Sequence, residues 1–327
     1  MLRFGLCAVL LWGCTETQTT ETSSTSGAGG TSASTNSAST AASNASSTGS
    51  GGAGGGTPAT YGFPPEWPNG TNCGNRDDIF VWKYADDTYI LRQSLCTSFE
   101  GPFLYLFFGA DKALLEDTGD GGIPVQSVVQ GIVDEWKAAH NDTPIELVVA
   151  HSHAHGDHVA GDSQFQNQPS TTVVGTGVSA VQAHFGITSW PTQIVSYDLG
   201  GRIVDVIPIP GHQSAHIAIY DRRHELLLTG DTLYPGRLYI SDFAAYQAST
   251  QRLADFVATN SVQWVLGTHI EMTTTPMQDF APGASQHPNE HALELTSQHL
   301  TELNDAVQAM GNSPSYQEHA DFIIYPL

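Results

Sequence analysis

Positive charge is scarce in this chain. Its 327 residues hold 11 Lys and Arg against 33 Asp and Glu, a formal net charge of −22. A field of that sign repels phosphate backbones, which argues against a nucleic-acid partner, and it repels anionic lipid headgroups equally. The acids are scattered, as on a solvated surface, rather than run together. The cations also stop early, since none follows Arg252. Cysteine is scarcer still, with 4 in all, two of them in the first 14 residues. That leaves Cys73 and Cys96, which lie well before the reactive motifs and so do not read as nucleophiles. In an exported chain they would pair as a disulfide closing a short loop. What the chain does have is a hydrophobic fraction of 40%, enough to build a real core.

Three stretches divide the chain. Residues 1–13 carry one early cation, Arg3, then a short apolar run from Gly5 to Trp12 that cannot span a bilayer. Leu11-Trp12-Gly13-Cys14 resembles a bacterial lipoprotein signal, although Trp12 departs from the small residue usual there. The resemblance implies an exported protein, periplasmic or on the outer membrane, tethered to the membrane by a lipid anchor on Cys14. Residues 14–60 are almost all Ser, Thr, Gly, Ala and Asn. They offer too little apolar surface to pack and read as a flexible spacer, with a root-mean-square span of roughly 35–40 Å. The folded, catalytic domain is expected over 61–327.

Within that domain, apolar and β-branched runs predict strands at Ile79–Trp82, Tyr89–Leu91, Phe103–Phe108, Ala113–Leu115 and Ile145–Ala150. A second group follows at Ile203–Ile207, Ile217–Tyr220, Leu226–Leu228 and Val262–Leu266. Helical spacing marks Val125–Ala139, Ser179–Phe185, Thr250–Val257 and Glu290–Met310. Alternating strands and helices predict a layered α/β domain.

The densest chemistry is Ser152-His153-Ala154-His155-Gly156-Asp157-His158, just past an apolar strand. On a tight turn, His153 and His155 can reach one metal, while Asp157 and His158 face a second position nearby. Zinc accepts imidazole nitrogen and carboxylate oxygen readily. His-x-His-x-Asp-His resembles the signature of the metallo-β-lactamase superfamily. Further motifs similar to that family's follow in order, each at a strand end: Pro210-Gly211-His212, Leu228-Thr229-Gly230-Asp231 and Gly267-Thr268-His269. The resemblance implies a four-layer αββα sandwich of two mixed β-sheets with helices outside. It also implies two zinc ions per chain. His153, His155 and His212 would hold one, Asp157, His158 and His269 the other, and Asp231 would bridge them.

The implied activity is hydrolysis of an ester, lactone, thioester or lactam carbonyl in a small-molecule substrate, using water activated on zinc. Asp157 would also orient or relay the proton. Some lactonases of the superfamily place a Tyr near the position of Tyr234 to polarise the substrate carbonyl, which makes Tyr234 a catalytic candidate, with core packing as its plainer role. His216 reads as a residue that orients ligands, His151 as structural, and His287 and His291 as parts of a C-terminal lid. His140, His184, His224, His299 and His319 read as surface residues.

Among the family's branches, glyoxalase II enzymes bind glutathione through basic side chains near the C-terminus, and this chain has none there. Class B β-lactamases lack a bridging Asp in the fourth motif, and Asp231 sets this chain apart from them. Three alternatives stay open at this level: a mononuclear iron, persulfide-dioxygenase-like oxidoreductase, a β-lactamase proper, and a surface protein using zinc for structure alone. Substrate and oligomeric state are left open as well.

Overall fold

Six consecutive apolar residues, Phe103 to Phe108, decide how the domain is layered. All six are buried. Successive side chains of a strand point to opposite faces, so a strand buried throughout must be covered on both sides. Phe103, Tyr105 and Phe107 join one core, and Leu104, Leu106 and Phe108 join another. In a computed structural model that describes residues 62–74 and 76–327, the first core lies between two sheets and the second lies under a helix. The signal segment, Cys14 and the spacer read from the sequence lie outside the described residues.

The first sheet is built, in spatial order, from β1 (Ile79–Ala85), β2 (Thr88–Gln93), β3 (Phe103–Phe108), β4 (Lys112–Glu116), β5 (Glu146–Ala150) and β6 (Thr171–Val173). Strands β1 to β4 run antiparallel, and β4, β5 and β6 run parallel. The second sheet holds β7 (Val195–Asp198), β8 (Ile203–Pro208), β9 (Ile217–Asp221), β10 (Leu226–Gly230), β12 (Trp264–Gly267) and β13 (Glu294–Leu295), in that order across the sheet. A small third sheet joins β11 (Arg237–Ile240), β14 (Gln317–Glu318) and β15 (Ile323–Pro326). The helices are α1 (Val125–Ala139), α2 (Gly156–Val159), α3 (Asp162–Phe165), α4 (Val178–Phe185), α5 (Phe243–Thr259) and α6 (Ser297–Ala309).

Helix α1 buries Val125, Val129, Ile132, Val133 and Trp136 against the outer face of the first sheet. Helices α5 and α6 bury Leu253, Leu300, Leu303 and Val307 against the second. Each such side chain contributes about 1.5–3 kcal/mol of transfer free energy. The result is a four-layer αββα sandwich of two mixed sheets, as the sequence implied. Among the described residues no helix is long and apolar enough to cross a membrane. Cys73 and Cys96 are joined as a disulfide, with 5.6 Å between Cα atoms.

Two helix boundaries differ from the sequence reading. The last helix begins at Ser297 rather than Glu290, because Thr296 caps it: its side chain and that of His299 exchange hydrogen bonds with backbone in a capping box. Residues Glu294–Leu295 instead pair with β12 as an edge strand. Helix α5 starts at Phe243 rather than Thr250, because Asp242 accepts a hydrogen bond from the Ala245 amide.

One residue ties the two sheets together. Arg202, fully buried just before β8, donates to both carboxylate oxygens of Asp221 in its own sheet, at 2.9 and 2.8 Å. It also donates across the core to the carbonyl of Asp87 and the hydroxyl of Thr88 in the first sheet. Asp87 adds ion pairs with Arg223 and His224.

Candidate metal centre

Strand direction gathers the candidate ligands. β8 and β10 both run antiparallel to β9, and β10 runs parallel to β12. All three therefore point the same way, and the residues just past their ends, His212, Asp231 and His269, emerge at one edge of the second sheet. The loop after β5 carries His153, His155, Asp157 and His158 to the same place. Two backbone positions admit little but glycine. Gly211 and Gly230, each just before a candidate ligand, have φ of 146° and 49°. A side chain at Gly211 would strike the backbone of Tyr246, and one at Gly230 would strike His216 and Ser152.

The seven side chains fall into two groups, each with its donor atoms within 4.8 Å of one another. One is His153, His155, His212 and Asp231, and the other is Asp157, His158 and His269. Asp231 lies between them, with Oδ2 3.3 Å from His212 Nε2 and 3.6 Å from both His153 Nε2 and His158 Nε2, and Oδ1 3.4 Å from His269 Nε2. The Thr268 hydroxyl donates a short hydrogen bond to Asp231 and fixes its orientation. Every candidate ligand read from the sequence is in one of these groups.

Whether the groups suit a metal is decided by where the imidazole protons are. Carbonyls and carboxylates accept hydrogen bonds and cannot donate them. His212 Nδ1 sits 2.7 Å from the Tyr239 carbonyl, His269 Nδ1 2.9 Å from the Glu100 carbonyl, and His158 Nδ1 2.7 Å from Asp117 Oδ2. Each of these nitrogens therefore carries the proton, which leaves Nε2 of the neutral ring as a lone pair. Those lone pairs converge. His155 Nδ1 lies 2.9 Å from both His153 Nε2 and His212 Nε2, and His158 and His269 present Nε2 to each other at 3.4 Å. Facing lone pairs at such distances repel unless a cation lies between them. A set of imidazoles and carboxylates, with His158, His212, His269 and Asp231 each turned by a partner behind it, is the donor chemistry zinc prefers.

The electrostatics of the second group make the same demand. Burial pulls the His158 and His269 imidazoles down, but the carboxylates of Asp117, Asp231 and Asp157 outweigh it. His158 rises well above its ordinary value and His269 is pushed up to about 9. Burial acts against ionised Asp157 and Asp231, yet the surrounding imidazoles hold both well below the usual carboxylate range. Such surroundings stabilise positive charge. In the first group, burial and neighbouring imidazoles push His153 and His155 down, so both are neutral and ready to ligate.

Residues 102–269 match the metallo-beta-lactamase superfamily. The chain belongs to the metallo-β-lactamase superfamily. A hydroxyacylglutathione hydrolase of Aeromonas hydrophila is 29% identical to it over 161 residues, covering 48% of this chain and 58% of that protein. An acyl-coenzyme A thioesterase of Gallus gallus is 36% identical over 78 residues, covering 23% of this chain and 28% of that protein. A solved metallo-β-lactamase from Pontibacter korlensis aligns with a TM-score of 0.48 at 17% identity, covering 70% of this chain and 99% of that one. The chain spans about half the length of the curated relatives it matches.

Within this superfamily member, several residues that support the site have no counterpart in the sequence reading. Asp117, fully buried past β4, accepts from the Ser152 amide and hydroxyl at 2.8 Å and from His158, so it holds the motif loop in place. Its signal was an Asp directly after an apolar strand, in Glu116-Asp117-Thr118-Gly119. The carbonyls of Glu100 and Tyr239 carry no sequence signal at all. Next to Asp117, Glu116 is fully buried and among the described residues neither carboxyl oxygen has a hydrogen-bond partner, and burial and the charge of Asp117 push it well above the usual range.

The remaining candidates are placed as follows. Tyr234 is buried, its ring 5.5 Å from that of His269, and its hydroxyl donates to the Arg237 carbonyl at 2.5 Å. His216 is buried, its ring 4.7 Å from that of His153, and packs against it, its Nε2 having no hydrogen-bond partner among the described residues. His151 bonds Asp162 at 2.8 Å. His287 lines a cleft beside the site, while His291 is bound to Asp321.

Proposed function

We propose that this chain is a binuclear zinc hydrolase that cleaves an ester, lactone, thioester or lactam carbonyl of a small molecule. The observation that carries this reading is the convergence of imidazole nitrogens into two groups, with Asp231 of the first also 3.6 Å from His158 Nε2 and 3.4 Å from His269 Nε2 of the second. Zinc bound there supplies two things acyl hydrolysis needs, a water whose pKa drops from about 15.7 toward 7 and a Lewis acid for the carbonyl oxygen. His153, His155 and His212 would hold one ion, and Asp157, His158 and His269 the other. Asp231, gripped by Thr268, would bridge them. Asp157, partly open to solvent with Oδ2 3.1 Å from His158 Nε2, would in this reading also orient or relay the proton. Tyr234 can polarise a substrate carbonyl only by giving up its bond to Arg237, so packing beside His269 is the role we assign it. Hydrolase activity is also what the names of the Aeromonas and Gallus relatives describe for those proteins.

The test is elemental mass spectrometry of the purified full chain, followed by a screen of esters, lactones, thioesters and β-lactams. About two zinc ions per chain together with turnover supports the reading. One iron and little zinc overturns it. We propose alongside it that Cys14 is lipidated on export, which intact mass of the mature N-terminus would decide.

A further inference from the structure

Beside the two ligand groups lies a small cleft of about 120 Å³, whose lining includes Phe99, Glu100, Arg237, Tyr239, Glu271 and His287. Its place is fixed by two hydrogen bonds already described. The Glu100 carbonyl accepts from His269 Nδ1 and the Tyr239 carbonyl from His212 Nδ1, so two residues of the lining are bonded directly to one ligand from each group. Arg237 is the sole Lys or Arg in the lining, and every one of its nitrogens is engaged. It donates to Asp279 at 2.5 Å, to the Phe280 carbonyl at 2.7 Å, and to Glu271 and the Tyr239 hydroxyl at 3.1 Å. Two carboxylates thus face one guanidinium and leave an excess of negative charge. His287 places one ring nitrogen on Glu290 and the other on the Ala284 carbonyl, so it has none to offer an anion. Glu290 is gripped by both terminal nitrogens of buried Arg92 at 2.6 Å, which makes this wall of the cleft preformed. Glu100 itself is half-buried, and among the described residues its carboxylate has no hydrogen-bond partner. Phe99 beside it is 50% exposed and offers an aromatic face at the rim.

An anion entering this cleft would meet an excess of carboxylates and a guanidinium already engaged by them. A cation would meet Glu100 and the faces of Phe99 and Tyr239. Metal charge acts at the ligand groups themselves, on the carbonyl oxygen, whereas the carboxylates act on the rest of the substrate. We propose that the cleft selects acyl substrates whose portion beyond the scissile carbonyl carries a positively charged amine, and that Glu100 is the specificity-determining residue. The proposal rests on the hydrolase reading above.

Three esters sharing one acyl group would test it, their alcohols matched in size and ending in trimethylammonium, tert-butyl or carboxylate. The zinc-loaded full chain should show kcat/KM falling about 10-fold at each step from cation to neutral to anion, with the differences shrinking as salt rises. Calorimetric binding of the corresponding non-hydrolysable amides should follow the same order. Glu100→Gln should compress the series to about 3-fold or less per step, and Glu100→Lys should invert it. A melting curve for each variant checks that it is folded. Hydrolysis of all three esters without charge preference, or a preference that Glu100→Gln leaves intact, would overturn the proposal and keep the hydrolase reading. Amides that bind in the expected order while no ester is cleaved would do the reverse.

Discussion

The two sheets contribute to the metal centre in opposite ways. The first delivers His153, His155, Asp157 and His158 on one loop after β5, with buried Asp117 behind them. The second delivers His212, Asp231 and His269 singly, from the ends of three strands. A contiguous motif is brought together by chain spacing and keeps its meaning in isolation. Scattered ligands are brought together by strand order and direction, so they depend on the fold. The first sheet's ligands are therefore sensitive to local support, and the second sheet's to the alignment of the two sheets.

The largest effect is expected where the two contributions meet. Asp231→Asn keeps the volume but removes the charge shared by both groups. It should lower kcat/KM by about 10⁴-fold, or ~5 kcal/mol, and elemental analysis should show loss from both positions rather than one. Retention of full metal content would mean that the groups are independent. Next is the alignment of the sheets. Arg202→Met leaves the buried Asp221 charge without its guanidinium, with only the Arg223 and His224 amides among the described residues to bond it, and should destabilise the fold by about 3–5 kcal/mol in urea unfolding. A loss below ~1 kcal/mol would show that packing alone sets the register.

Local support of the first sheet's loop comes third. Asp117→Asn should weaken the group containing His158 by about 10–100-fold in metal affinity, while the group containing His153 stays filled. Equal loss from both would erase the distinction drawn between the sheets.

The fourth test uses pH. Burial would raise Asp87, but His224, Arg202 and Arg223 outweigh it and hold the carboxyl well below its usual range. The native state then binds fewer protons than the unfolded one between these two values. Its stabilisation is present above about pH 4 and lost as pH falls toward the depressed native value. Asp87→Asn should cost about 1–3 kcal/mol at pH 7, and the gap should begin to narrow below about pH 4 and close only as pH nears the depressed native value.

The smallest effect concerns Glu116. Its raised value means that the native state holds a proton the unfolded state releases, so its stability contribution declines as pH rises above about 4.5. Glu116→Met should stabilise the fold by about 1–2 kcal/mol at pH 7, read as a higher Tm. Destabilisation instead would mean that the carboxyl has a partner in solution.

Local periodicity was the most legible feature. Helix α1 spans Val125–Ala139 in both readings, because its apolar spacing holds throughout and Pro124 precedes it. The first strands were legible because uninterrupted apolar runs have few other ways to be buried. Strands β6, β7, β11, β14 and β15 were missed, since they are short and several lie half exposed without a clean alternation. Helix α5 was underestimated because its first turns carry Ala, Gln and Ser rather than an apolar stripe.

By itself, the sequence determined a layered α/β domain and the ordered motifs that carry the resemblance to the superfamily, because those depend on residue type and spacing along the chain, and the αββα layering and the candidate ligands followed from that resemblance. Tertiary structure alone decided which nitrogen of His158, His212 and His269 is a lone pair, through carbonyls and a carboxylate far away in sequence. It also decided that Arg237 and Glu271 neutralise each other only in part beside the ligands, and that Arg202 reaches across the core. Such roles belong to backbone groups and to charges brought near one another by strand order, and a carbonyl oxygen leaves no mark on the residue that carries it.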